Sequence, residues 1–210
     1  KDLSRFVPQE VARQVKFSEQ RMELGYGEVR EATILFTDIE GFTSMSENLT
    51  PTELIATLNA YFEVVTDPIV TNGGVINQFQ GDAILATFNV PDPLEDHAGC
   101  AVATAMAIQR ALSQHTFGPG LQLNSRVGIN TGVIVGGIVG TGDRLGYTVH
   151  GDEVNLAARL EQLNKNYETR IIVSERTREL AGPERFPFKA LESVTVRGRH
   201  TPVMVYTLGS

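Results

Sequence analysis

The sequence holds no tryptophan and a single cysteine, Cys100. One thiol excludes an internal disulfide framework and any cysteine-built zinc cluster. Flanked by Ala101, Val102 and Ala103, it reads as a small core residue on a helix, in keeping with a reducing, cytoplasmic setting. No apolar run approaches the ~20 residues of a membrane span, and no secretion signal is visible. No direct membrane contact is therefore expected of this fragment. The first residue is Lys1, not Met, which leads us to expect a piece of a longer parent with a sensor or membrane region upstream. Excess positive charge is missing too. Lys and Arg number 18 against 25 Asp and Glu, a net charge of −7, so no nucleic-acid partner is implied. An anionic ligand must be met by local cations or by a metal. What is present, 41% hydrophobic and 20% charged over 210 residues, is the composition of one soluble domain able to bury a core.

Pro8 to Glu19 reads as a short amphipathic helix with Val11 and Val15 on one side, and "MELGYGEVRE" as a linker. Residues 1–27 are thus expected to be a helix and linker from an upstream region, and 28–210 the main domain. Ala32 to Ile39 is a mostly apolar strand. Thr50 as N-cap, Pro51 in the first turn and Glu53 closing a capping box predict a helix start. That helix carries Leu54, Leu58, Tyr61, Phe62 and Val65 and ends before Gly73-Gly74. "GVINQFQGDAILATFNV" reads as a β-hairpin around Gln80-Gly81-Asp82. Pro93 to Gln114 is an Ala-rich helix. Leu121–Asn130 and Val133–Val139 are predicted strands joined at Thr131-Gly132. A helix over Asp152–Asn164, the strand "RIIVS", a short helix to Leu180 and strands over Phe186–Val196 and Val203–Leu208 complete the chain. The first six elements give the ferredoxin-like βαββαβ order. The fold class expected is α+β, with that core and extra C-terminal helices and strands.

In that topology the first and third strands are antiparallel neighbours. Asp38, ending one, then faces Asp82, opening the other. Neither has a basic neighbour in sequence, so the ionised pair repels unless something offsets it. Mg²⁺ does so, preferring one or two carboxylates plus phosphate oxygens. The backbone carbonyl of Ile39 offers another oxygen. Gly41, Phe42 and Thr43 can bend so that backbone N–H groups meet a phosphate. Singly, Asp38 also reads as a strand cap and Asp82 as a turn residue; the pair in register points to a cation. In "GDEVNLAARLE", Asn155 and Arg159 lie four apart on one helix face. Arg offers a fork for phosphate and Asn both a donor and an acceptor, although such a pair also suits a solvated face. Arg197 and Arg199, around Gly198, suit a polyphosphate tail or a solvated turn.

Together, "FTDIEGFT", "QGDAILATF", "VGINTGVIVGGIVG" and "GDEVNLAARL" resemble, in order, the motifs of the class III nucleotidyl cyclase catalytic domain, from Glu28 to Leu208. "SRFVPQEVARQV" resembles the segment often found upstream of such domains. The resemblance implies the class III cyclase fold and an adenylyl cyclase of bacterial type, making cyclic AMP and pyrophosphate from ATP. Asp38, Ile39 and Asp82 would hold two Mg²⁺ or Mn²⁺ ions, one lowering the pKa of the ribose 3′-hydroxyl and the other orienting the triphosphate. Asn155 would position the ribose and Arg159 stabilise charge on the α-phosphate. Gly41 to Thr43 would meet the phosphates, and Arg197, where the family usually has Lys, would serve the β- and γ-phosphates. Sites would form across an antiparallel homodimer, the aspartates from one chain and the base-reading residues, Asn155 and Arg159 from the other. Adenylyl cyclases usually carry Lys at the position of Gln78 and Asp or Thr at that of Thr148; guanylyl cyclases carry Glu and Cys. Thr148 favours ATP. The Gln78 amide, donor and acceptor at once, rejects neither base. A guanylyl cyclase, a cyclase of relaxed base choice and a degenerate nucleotide-binding dimerisation module are the alternatives. The hairpin turn lacks the Gly-Gly-Asp/Glu-Glu-Phe signature of diguanylate cyclases.

Overall fold

A mixed sheet of eight strands organises the chain in its computed structural model, which describes residues 27–141, 144–195 and 202–208. The expected helix over Pro8–Glu19, the start of the linker, Arg197 and Arg199 lie outside the described residues. In chain order the elements are β1 (Gly27–Ile39), α1 (Phe42–Glu47), α2 (Pro51–Thr71), β2 (Val75–Gln80), β3 (Ala83–Phe88), α3 (His97–Ser113), β4 (Ser125–Thr141), β5 (Arg144–His150), α4 (Asp152–Tyr167), β6 (Ile171–Ser174), α5 (Glu175–Ala181), β7 (Phe188–Val194) and β8 (Val203–Leu208). The sheet order is β2-β3-β1-β4-β6-β8-β7, with β5 paired to the far half of β4. Its first four strands have the expected ferredoxin-like arrangement, β1 lying antiparallel between β3 and β4.

Local chemistry accounts for much of this. Thr50 Oγ1 accepts from Glu53 N at 3.3 Å while Glu53 Oε2 accepts from Thr50 N at 2.9 Å, the expected capping box at the start of α2. The hairpin turns at Gly81, whose φ of 63° a glycine adopts without strain. Four readings are corrected. β1 starts at Gly27 rather than Ala32, because Gly27–Glu31 pair with Val133–Gly137; the two linker glycines hid a ladder that only β4 creates. Thr131-Gly132 does not turn but continues one strand, β4, opposite Thr33 and Ala32, and that strand begins at Ser125 rather than Leu121. β5 has no counterpart in the sequence reading. Finally, α3 begins at His97 rather than Pro93, since the Asn89 side chain accepts from Leu94 N at 2.7 Å and ties the preceding segment into a loop.

Apolar side chains cover both faces of the sheet. On one, α2 and α3 bury Leu35, Ile39, Ile84, Phe88 and Ile129 under Tyr61, Val65, Ile69 and Ile108. On the other, α4 lays Val154 and Ala157 on Ala32, Ile34 and Ile134. Each large side chain so buried contributes roughly 1.5–3 kcal/mol. Alternation along β1 therefore sends Leu35, Thr37 and Ile39 to the α2/α3 face and Ile34, Phe36 and Asp38 to the α4 face. Gly128 on β4 lets α4 close in: a Cβ there would lie 2.8 Å from Glu161 Cα. No helix among the described residues is long and apolar enough to cross a membrane.

Candidate active site

Two strand ends and one helix build the site. β1 delivers Asp38 half-buried on the α4 face, and the hairpin turn delivers Asp82, also half-buried. The two strands are in antiparallel register up to Thr37 opposite Ile84, so the turn brings Asp82 opposite Ile39, one residue on from Asp38. Ile39 N donates to Asp82 Oδ2 at 3.0 Å, which ties the three expected ligand residues together. Burial raises the Asp82 carboxyl above its ordinary value; the nearby Asp38 charge adds to this, while the hydrogen bonds from Ile39 and from its own backbone N–H work the other way. The Ile39 side chain is core, 1% exposed, leaving its backbone as its offering to the site.

Sequence reading missed the other half of this cluster. Arg126 is the direct cross-strand partner of Asp38. Its Nε and Nη2 reach Asp38 Oδ1 at 3.2 and 3.0 Å, and Nη2 also reaches Oδ2 at 3.0 Å. The same Nε also lies at ion-pair distance from Glu161 of α4, 3.3 Å from Oε1. Both are buried, 7% and 4% exposed. The Glu161 carboxyl is pushed up to about 8, first by burial and then by its hydrogen bond and charge contact with Asp38. Asp38 thus has a cationic neighbour after all, brought by β4 rather than by sequence. A signal for Glu161 existed: positions 154, 157, 161 and 164 form one helical stripe, apolar at its start and carrying Glu161 and Asn164 further on, and all four are buried. Nothing in the sequence ties Arg126 to Asp38.

Behind the aspartates lies a hydroxyl cluster. Thr37 Oγ1 and Ser125 Oγ are 2.5 Å apart, beside the fully buried Tyr61, whose hydroxyl is raised mainly by burial. These residues precede Asp38 and Arg126 in sequence and brace both strand ends.

The remaining expected residues divide. Gly41 has φ 71°, the left-handed region that favours glycine, and leads into α1 rather than an irregular turn. Phe42 opens α1 and packs its ring on the main core, while Thr43 is exposed. Asn155 and Arg159 lie exposed one turn apart on α4, whose inner face holds Glu161 against Arg126. Gln78 is exposed on β2, just past an irregularity in the ladder. Thr148, half-buried on β5, stands opposite Gly137, its hydroxyl 3.4 Å from His150 Nε2. β2 and β5 lie against each other, so the strands of Gln78 and Thr148 are neighbours although they do not pair.

Two carboxylates and a backbone carbonyl form an oxygen-only donor set, which suits hard divalent cations better than soft ones. Such a charge would also favour the ionised form of Asp82. Among the described residues no group of three His, Cys, Asp or Glu side chains could hold a metal, so other coordination positions would fall to backbone, substrate oxygens and water.

Residues 25–210 match the profile of the adenylate and guanylate cyclase catalytic domain. The chain belongs to that family. The chain is 36% identical over 197 residues to an adenylate cyclase of Anabaena cylindrica, covering 89% of this chain and 38% of that protein. It is 38% identical over 210 residues to the terminal-differentiation specific adenylate cyclase of Dictyostelium discoideum, covering 97% and 10%. The chain thus spans only 10–38% of the length of these cyclases. Among solved structures, the guanylyl cyclase Cya2 shares 38% identity at a TM-score of 0.78, over 87% of this chain and 93% of that one. The adenylyl cyclase CyaB from P. aeruginosa shares 29% at 0.76, over 88% and 96%. The sheet and helices of this cyclase domain are therefore those of its family.

Proposed function

We propose that the chain is the catalytic region of an adenylyl cyclase, converting ATP to 3′,5′-cyclic AMP and pyrophosphate at sites shared by two copies of itself. The observation that carries this is the meeting of Asp38 and Asp82 at adjoining strand ends, with Ile39 N bonded to Asp82 at 3.0 Å, in a chain of the cyclase family. Asp38, Asp82 and the Ile39 carbonyl would hold two Mg²⁺ or Mn²⁺ ions, which when bound lower the pKa of the ribose 3′-hydroxyl and neutralise the triphosphate. The protein's own groups do the rest. Asn155 holds the ribose, and the Arg159 fork stabilises charge on the α-phosphate as the 3′-oxygen bonds to phosphorus and pyrophosphate leaves in line. The Gly41–Thr43 backbone and Arg197 hold the phosphates, and Gln78 with Thr148 faces the base.

A second copy is supported by an exposed apolar strip. Val29, Val133, Val135 and Val139 are all exposed and share one face of the β1–β4 ribbon, a pattern that marks interaction surfaces. In such a dimer one copy supplies the aspartates and the other supplies Gln78, Thr148, Asn155 and Arg159. We place the chain from Gly27 onward as the catalytic domain, in the cytoplasm, with the residues before it joining it to an upstream sensor or membrane region. The test is complementation. Asp38→Ala and Arg159→Ala chains should each be inactive, yet mixed in equal amounts they should recover about a quarter of wild-type activity, since half the dimers rebuild one of two sites. No recovery would overturn the shared site.

Gln78 supports a second reading, because its amide can serve either base, and Cya2 at 38% identity is a guanylyl cyclase. Parallel assays with ATP and GTP in Mn²⁺ decide: faster GTP turnover would replace the adenylyl assignment.

A further inference from the structure

Partnered arginines are the rule in this molecule. Arg30 pairs with Glu28, Arg126 with Asp38, Arg176 with Glu31 and Arg185 with Asp96; Arg178 sits over the Tyr206 ring, and Arg159 is engaged as well. Among the described residues, Arg110, Lys165, Arg170 and Lys189 have side chains that make no hydrogen bond or ion pair. In a chain of net charge −7, carboxylates rather than cations should be the groups in excess. Yet these four gather along two adjoining cavities that share Arg170. The larger, about 830 Å³, has Arg110, Arg170 and Lys189 around Met106, Ile171 and Leu208, with Glu168 as its acidic residue. The smaller, about 460 Å³, has Lys165 and Arg170 beside Arg126, with Glu40 and Glu168. Proximity to a helix C-terminus accounts for Arg110 on α3 and Lys165 on α4, but not for Arg170 or Lys189.

We propose that the larger cavity binds a small molecule with a phosphate head and an apolar or aromatic body. Two guanidinium forks and an ammonium suit a phosphate, and the apolar side chains suit the body. A volume of about 830 Å³ falls in the range of ordinary ligand sites. The cavity contains none of Asp38, Asp82, Asn155 and Arg159, so the proposal stands independently of the cyclase reading. It does back onto β4, the strand that carries Arg126. Gln109 Nε2 donates to Ser125 O at 2.9 Å, and Val127 N donates to Arg170 O at 2.8 Å, so two of its wall residues grip the backbone on either side of Arg126.

The test uses the 210-residue chain without nucleotide or divalent metal, titrated with phenyl phosphate by calorimetry. Saturable binding is expected that weakens with added salt, persists in Asp82→Ala, and falls about tenfold or more in the triple variant Arg110→Gln, Arg170→Gln, Lys189→Gln. The three side chains are exposed, so the triple variant should keep the wild-type melting temperature. Co-sedimentation with phosphatidic acid vesicles, compared with phosphatidylcholine vesicles, separates a lipid headgroup from a free phosphate: selective capture by the former, lost in the triple variant, assigns the site to lipid. Absence of both phenyl phosphate and vesicle binding, binding unchanged in the triple variant, or binding lost in Asp82→Ala instead would each overturn the proposal.

Discussion

Gly128→Ala puts the placement of α4 to a quantitative test. A Cβ at Gly128 would sit 2.8 Å from Glu161 Cα, with Glu161 N and Ala157 O nearer still. All three are helix backbone, so no rotamer change relieves the clash. Comfortable contact needs 3.5–4.0 Å, and the nearest atom, Glu161 N, stands at 2.2 Å, so α4 would have to withdraw by about 1.3 Å or more. Overpacking costs typically 1–3 kcal/mol, and a rigid backbone obstacle places this case near the top, about 3 kcal/mol. At 2–4 °C per kcal/mol for a chain of this size, the melting temperature should fall by about 6–12 °C. Cyclase activity should fall with it, because α4 carries Asn155, Arg159 and the Glu161 contact with Arg126. Gly146→Ala on β5 is the control, for a Cβ there meets nothing within 4 Å. Thermal unfolding followed by circular dichroism reads both. Equal melting temperatures for the two variants would refute the claim that Gly128 sets the helix–sheet distance.

Arg126→Ala removes the cation that Asp38 and Glu161 both contact, and breaking such a buried pair should cost about 3–5 kcal/mol. Mn²⁺ should then raise the melting temperature of this variant more than that of wild type; an equal response would argue against Asp38 as a ligand. The Glu161 carboxyl, raised to about 8, binds its proton more tightly folded than unfolded. Its stabilising contribution is full below the ordinary carboxylate range and is lost as pH rises to about 8. Urea titrations in the absence of divalent metal at about pH 6 and about pH 9 should therefore show wild type losing stability relative to Glu161→Gln on going to the higher pH, and a constant difference would contradict the raised value. Gln78→Lys should shift turnover toward ATP over GTP, by roughly tenfold if one directed hydrogen bond is gained; an unchanged ratio would mean that Gln78 does not face the base.

What the sequence determined by itself was whatever is encoded locally. The capping box at Thr50 and Glu53, the turn at Gly81 and the apolar periods of α2, α3 and α4 depend on neighbours within a few residues, and each was legible. From their order the ferredoxin-like core followed, and from the core the meeting of Asp38 with Asp82, because antiparallel neighbours in that topology leave only one place for those strand ends. The tertiary structure decided what no short window holds. Gly27–Glu31 became strand only because β4 runs on past Thr131-Gly132 to pair with it, and β5 formed against that extension. Arg126 and Asp38 are 88 residues apart, and their pairing rests on register between β1 and β4. Glu161 reaches Arg126 because Gly128 lets a helix backbone come close to a strand. The strand ends therefore carried the acidic half of the site in readable form. Its basic half, the guanidinium that tempers Asp38, came from cross-strand register and helix packing, which depend on distances between segments rather than on the residues within any one of them.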